Sequence, residues 1–282
     1  MRATKNLVLF GAVACCLTIS GGSAVASVHA TDRTTQSRSA GASANYAPLP
    51  SKEVHEITSV STATLTSIGS GKRRGSRNHP PDLVKAAKLS KHGKPELAYI
   101  IGEFCPYCAG ESWSVAVALS RFGSIHGLTT LVSSTDDDPA SIQTMSFRYS
   151  HFHSPYLAYD PIVNENVNRK RVEPVPARVR RTWNRYGPPG YPFIDFGGRA
   201  ILNLPSFEPT LLAKLTRKQI AADLNHPKRA VAKAVDGSAN QITAAICIMT
   251  KDKPAKVCHT KTISTIRRSL RPLHPSPRSS QS

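Results

Sequence analysis

Leu97-Ala98-Tyr99-Ile100-Ile101-Gly102-Glu103-Phe104-Cys105-Pro106-Tyr107-Cys108 is the stretch that decides the fold. Leu97 to Ile101 is apolar without alternation, which is what a central strand covered on both faces requires. The strand points at Cys105. After Pro106, Val115, Leu119 and Phe122 recur at i, i+4 and i+7, and Gly123 follows as a stop, so a helix is expected from the dithiol to Phe122. The order is strand, Cys-x-x-Cys, helix.

That order has a chemical logic. The first sulfur sits at a helix N-terminus, where unpaired amides and the macrodipole favour an anion, so Cys105 is expected to be the acidic thiol and the nucleophile. Pro106 suits the first helical turn, where a missing N–H costs nothing. Cys108, one turn on, is placed to attack a mixed disulfide and release its substrate. Glu103, two residues before Cys105, is a candidate proton shuttle for Cys108, and equally a surface charge at a strand end. A permanent short-loop bridge between Cys105 and Cys108 is the competing reading.

Outward from this centre, Leu128 to Val132 supplies a second β-type run, and a right-handed crossover would set it parallel to the first. From Asp136-Asp137-Asp138-Pro139 to about 190 no period is sustained, and an insertion is expected there. Phe193 to Phe196 and Ala200 to Leu202 flank Gly197-Gly198-Arg199 and read as a hairpin. Thr216 with Gln219 forms a capping box, stapled by Leu215 and Ile220, for a helix ending near Pro227. Ser238 with Gln241 repeats the box ahead of a helix through Cys247. Val54 to Ile68, rich in β-branched residues, reads as a strand or extended arm, and Lys72 to Pro81 as a basic loop.

The arrangement resembles thioredoxin-like proteins, in which a cis proline opens the hairpin strand beside the dithiol and the residue before it presents backbone to the substrate peptide. Tyr191-Pro192 ahead of Phe193-Ile194-Asp195-Phe196 occupies the corresponding place. More specifically, Tyr99 to Ala109 with Ala118-Leu119-Ser120-Arg121-Phe122-Gly123, then Ser133-Ser134-Thr135-Asp136, Ser154-Pro155-Tyr156, Pro192 to Phe196, and Ala244-Ala245-Ile246-Cys247 with Cys258 resemble the domain-of-unknown-function 929 family. The resemblance spans most of Glu53 to Cys258 and implies an exported or membrane-anchored thioredoxin-like protein with no settled activity. The Arg-rich stretch from Arg169 to Arg185 departs from the family's usual sequence. The fold expected is α/β, a thioredoxin-like mixed sheet flanked by helices, with the insertion at about 136–190 and extra C-terminal helices.

The ends of the 282-residue chain read differently. Arg2 and Lys5 precede an apolar run from Leu7 to Ile19 and the small residues Ala24-Val25-Ala26, the pattern of a secretory signal over 1–26, with a retained membrane anchor as second choice. Residues 27–50, rich in Ser, Thr and Ala, read as a flexible linker, 51–260 as the domain, and 261–282 as a disordered basic tail. The location expected is extracytoplasmic, secreted or associated with the cell envelope. Loss of the signal removes Cys15 and Cys16 and leaves four cysteines, an even number that favours disulfides outside the cytoplasm. Cys247 and Cys258 are read as a structural disulfide, with an electron relay to the dithiol as the alternative.

The formal charge is +19. In an exported protein that points to anionic envelope polymers or lipid head groups rather than nucleic acid. Arg169-Lys170-Arg171 with Arg178, Arg180, Arg181 and Arg185 around Trp183 is the densest basic stretch, read either as a docking face or as a solvated one. His151 and His153 read as exposed loop residues without a third ligand, so no metal site is expected. No cofactor is expected: there is no Walker-type phosphate loop and no Gly-x-Ser-x-Gly elbow. The function expected is thiol–disulfide exchange on exported thiol or disulfide proteins, with a partner that resets the redox state. The alternative is a non-catalytic envelope protein with a structural bridge and a basic binding surface.

Overall fold

The computed structural model describes residues 46–71, 79–187 and 190–273. The signal-like segment, residues 27–45, the centre of the basic loop at 72–78 and residues 274–282 lie outside the described residues.

In chain order the elements are helices α1 (Ser51–Thr58) and α2 (Thr62–Ile68), strands β1 (Asp82–Leu83), β2 (Ser90–Lys91) and β3 (Lys94–Gly102), helix α3 (Pro106–Ser120), strands β4 (Ser124–His126), β5 (Thr129–Val132), β6 (Gln143–Ser146), β7 (His151–His153) and β8 (Ala158–Glu165), and helix α4 (Ala177–Tyr186). Then come strands β9 (Phe193–Phe196) and β10 (Ala200–Leu202), a 3-10 turn (Pro209–Leu212), and helices α5 (Arg217–Leu224), α6 (Ala230–Met249), α7 (Ala255–Cys258) and α8 (Lys261–Ser269).

The main sheet is mixed. β3 lies between β8, its parallel partner, and β9, which runs antiparallel; β10 and β1 continue the antiparallel edge, and β2 closes a short hairpin onto β3. The apolar run in β3 is explained by cover on both faces. Leu97, Tyr99 and Ile101 join the large core with α3 and α6, whereas Ala98 and Ile100 join a second core with Val179 of α4. The α/β expectation, a mixed sheet flanked by helices, is met. Helix α3 is buried nearly all round, including Ser112 and Ser114, because α6 packs along it. The β9–β10 hairpin forms as expected, with Gly197 (φ 65°) and Gly198 (φ 71°) in the left-handed region that its turn requires. The Thr216–Gln219 capping box is present at the start of α5.

Several expectations need correction. Val54 to Ile68 is two helices, not a strand: Ser61 caps α2, and burial of Ile57 and Leu65 overrides the β-branched composition. Residues 46–50 are not loose linker, since Thr130 donates to the Ala47 carbonyl, the Leu49 amide donates to Leu128, and Leu49 is buried. Leu128 to Val132 does not pair with β3; β5 pairs antiparallel with β6, outside the main sheet. The parallel partner comes instead from the stretch expected to be an insertion, which also supplies α4. Ser238 and Gln241 do not cap a helix. They lie inside α6, which begins at Ala230. The expected tail is ordered as far as residue 273, with α8 packed on α6 and the Leu273 amide donating to the Leu83 carbonyl.

Among the described residues no helix is long and apolar enough to cross a membrane. Cys247 and Cys258 form the expected disulfide, joining the end of α6 to α7.

Candidate functional site

β3 ends at Gly102 and the chain turns so that Cys105 becomes the N-cap of α3, with Pro106 at its first position. Cys105 Sγ accepts a hydrogen bond from the Cys108 amide at 3.5 Å. The geometry is that of a helix N-terminus holding a sulfur where an anion is favoured. A hydrogen bond from the Cys108 thiol, assisted by the amides of Cys108 and Tyr107, outweighs burial and Asp137 and draws the Cys105 thiol below its ordinary value. Burial, with the hydrogen bond to Cys105 and the neighbouring Glu111, holds the Cys108 thiol well above that value. The two sulfurs are both free thiols, and Cys105 keeps 7% of its surface open against 1% for Cys108.

The Tyr191–Pro192 peptide bond is cis and lies across from the dithiol, with the Tyr191 carbonyl facing Cys105 Sγ at 3.9 Å. Tyr191 is held in place by its hydroxyl, which donates to Asn164 Oδ1 at 2.5 Å and to Glu165 at 3.1 Å. Its ring meets the Phe104 ring edge-on and lies at a tilt to Trp183. Gly102 makes this possible: a Cβ there would come within 2.9 Å of both Phe104 and Tyr191.

Arg169 closes one side. A tight loop, in which Asn166 Oδ1 accepts from the amides of Asn168 and Lys170, sets Arg169 in the left-handed region and lays its guanidinium 3.8 Å from the centre of the Phe104 ring. The same guanidinium pairs with Asp137 at 2.6 Å. Of the basic stretch, Arg178 is also committed: it bridges the fully buried Glu96 of β3 and Asp160 of β8. Arg171, Arg180, Arg181 and Arg185 remain exposed.

Glu103 is buried beside the site, but its two oxygens accept from Tyr46 and Ser146, each at 2.5 Å, rather than from a thiol. The carboxyl that stands one turn beyond Cys108 is Glu111, which the sequence reading passed over. It is 1% exposed and accepts from the Ser206 amide and hydroxyl and from the Ser238 hydroxyl. Burial raises it to about 7 in spite of those bonds. Its i+3 spacing from Cys108 on α3 was the signal available in the sequence.

His151 and His153 are exposed on β7, opposite His126 and Ser124 of β4 respectively. Among the described residues no group of three or more His, Cys, Asp or Glu is gathered so as to hold a metal ion.

The family model described as "Domain of unknown function (DUF929)" matches residues 83–248, a span that includes the dithiol, the cis proline and Glu111. No curated protein matches the chain, and no solved structure does.

Proposed function

The chain belongs to the domain of unknown function 929 family, and from the chemistry of its dithiol we propose that it carries out thiol–disulfide exchange on a thioredoxin-like scaffold outside the cytoplasm. The observation that carries this reading is the asymmetry of the two sulfurs. Cys105 is the thiol at the helix N-terminus with its acidity increased, and Cys108 is the sealed thiol with its acidity suppressed. Such a pair separates attack from resolution.

In the reductive direction the Cys105 thiolate attacks one sulfur of a substrate disulfide. A Cys105–substrate bond forms, the substrate S–S bond breaks, and its other sulfur leaves as a thiolate. Cys108 then loses its proton and attacks Cys105, forming the Cys105–Cys108 bridge and releasing the second substrate thiolate; two electrons have passed to the substrate. The oxidative direction is the reverse. In either case a second dithiol or disulfide partner must reset the pair. The Tyr191 carbonyl, facing Cys105 next to cis Pro192, is the backbone against which the substrate peptide is proposed to lie. Export is supported by the signal-like start of the sequence and agrees with a stable Cys247–Cys258 bridge.

The test is a trapping experiment. Cys108→Ser in the mature protein, mixed with a disulfide-bonded peptide, should accumulate one covalent peptide per chain on Cys105, released by reductant. Cys105→Ser should trap none. Failure of Cys108→Ser to trap any disulfide would leave the non-catalytic envelope reading in place.

A further inference from the structure

At the far end of α3 from the dithiol, Arg121 forms the C-cap of the helix. Its Nη1 donates to Asn240 Oδ1 at 3.0 Å and Thr243 Oγ1 at 3.2 Å, both neutral acceptors on α6. Among the described residues it forms no ion pair, and its other edge, Nε and Nη2, donates to no protein acceptor. An arginine mostly removed from water is ordinarily matched by an anion, because an unmatched charge is costly to bury.

Arg121 lines a cavity of about 400 Å³ together with Lys256, Thr58, Thr62, Ser120 and Val60. Two of the lining residues are cations and none is acidic. Thr58 and Ser120 spend their hydroxyl protons on carbonyls of their own helices, Val54 and Val117. That leaves the Arg121 edge and the Lys256 ammonium as the charged donors for a ligand, with the Thr62 hydroxyl as a neutral one.

We propose that this cavity is a binding site for a small phosphate-type oxyanion, held by the Nε/Nη2 edge of Arg121 and by Lys256. A guanidinium edge matches two oxygens of such a group in parallel, and a second cation favours a dianion over a monocarboxylate. Burial lowers Arg121 to about 10, in keeping with a cation that lacks a counter-charge in the free protein. The surplus of Lys and Arg over Asp and Glu in the chain raises the local concentration of anions at such a cavity. The site is distinct from the dithiol: α3 lies between them, roughly 20 Å of helix at 1.5 Å per residue.

The test is isothermal titration of the mature protein with inorganic phosphate, and separately with glycerol 3-phosphate as a soluble stand-in for a lipid head group, against sodium chloride at matched ionic strength. Saturable one-to-one binding of phosphate is expected, absent with chloride. Tighter binding of glycerol 3-phosphate would assign the site to an esterified headgroup, and tighter binding of phosphate to the free ion. Lys256→Ala, a change at an exposed position, should weaken binding about tenfold, and Arg121→Lys should weaken it further by removing the paired donors. Arg121→Met should abolish it; thermal unfolding of each variant separates lost binding from lost fold. Heats equal to those with chloride, or Lys256→Ala and Arg121→Lys binding as tightly as the unaltered protein, would overturn the assignment.

Discussion

The Cys108 amide points at the Cys105 sulfur across 3.5 Å, while the Cys108 thiol itself lies closed off beneath the turn that this bond defines. One residue thus stabilises its partner's anion with its backbone and keeps its own sulfur protonated. In the reduced protein, iodoacetamide at pH 7 should modify Cys105 at least tenfold faster than Cys108, read by peptide mass spectrometry. The 240 nm thiolate absorbance should rise in two steps, one below and one above the ordinary thiol value. Equal modification of both sulfurs would remove the asymmetry on which the proposed chemistry rests.

Glu111 and Glu103 are separated by the kinetics of resolution. Glu111 is a neighbour whose charge disfavours the Cys108 thiolate, so above pH 7 Glu111→Gln should speed loss of the mixed disulfide severalfold. Glu103, tied to Tyr46 and Ser146, should leave that rate within about twofold when changed to Gln. A tenfold slowing in Glu103→Gln, with no effect in Glu111→Gln, would return the proton shuttle to Glu103.

Buried carboxyls make stability depend on pH in an uncommon direction. Burial raises Glu111 to about 7 and Asp236 to about 8, and the Asp236 oxygens have no hydrogen-bond partner. The folded chain therefore binds more protons than the unfolded one. The stability this confers is complete below the ordinary carboxyl value of about 4 and is lost as pH rises through 7 and 8. Urea unfolding should give a midpoint that falls from pH 5 to pH 9. Asp236→Asn should be close to neutral near pH 4 and gain on the order of 2 kcal/mol at pH 9. A midpoint that rises over this range, or an Asn variant that is less stable at pH 9, would contradict the assignment.

The Cys247–Cys258 bridge spans a sequence separation of 11 at the end of α6. Closing a loop of that size stabilises by about 2 to 3 kcal/mol in the chain-entropy model. Cys247→Ala with Cys258→Ala should lose about that much in urea unfolding and leave trapping by Cys105 intact. Loss of exchange without loss of stability would instead support an electron relay between the two pairs.

The centre of the fold was legible because its signals are local. Leu97 to Ile101 states its own burial by lacking alternation, and Gly197-Gly198 states its own turn. The parallel strand was not, because β8, an edge strand paired with β3, carries Asp160 and Pro161, which break the apolar run that marks a strand. What offsets them is distant: Arg178 and Lys91 satisfy Asp160 from other elements. The same holds at the site. Cys105, Cys108, Tyr191 and Pro192 stand in recognisable local order, whereas Glu111 offers locally no more than its i+3 spacing from Cys108, and its partners Ser206 and Ser238 reach it across about 95 and 127 residues of chain. Arg169 likewise reads as one of a run of cations until its loop lays it over Phe104.

The central claim is that the Cys105–Cys108 pair turns over, and the direct measurement is an equilibrium titration in glutathione buffers with alkylation and mass spectrometry reporting Cys105, Cys108, Cys247 and Cys258 separately. The account predicts that Cys105 and Cys108 exchange reversibly as a two-electron pair at a potential above about −270 mV while Cys247 and Cys258 stay oxidised. A Cys105–Cys108 bridge that resists reduction until the protein unfolds would contradict it.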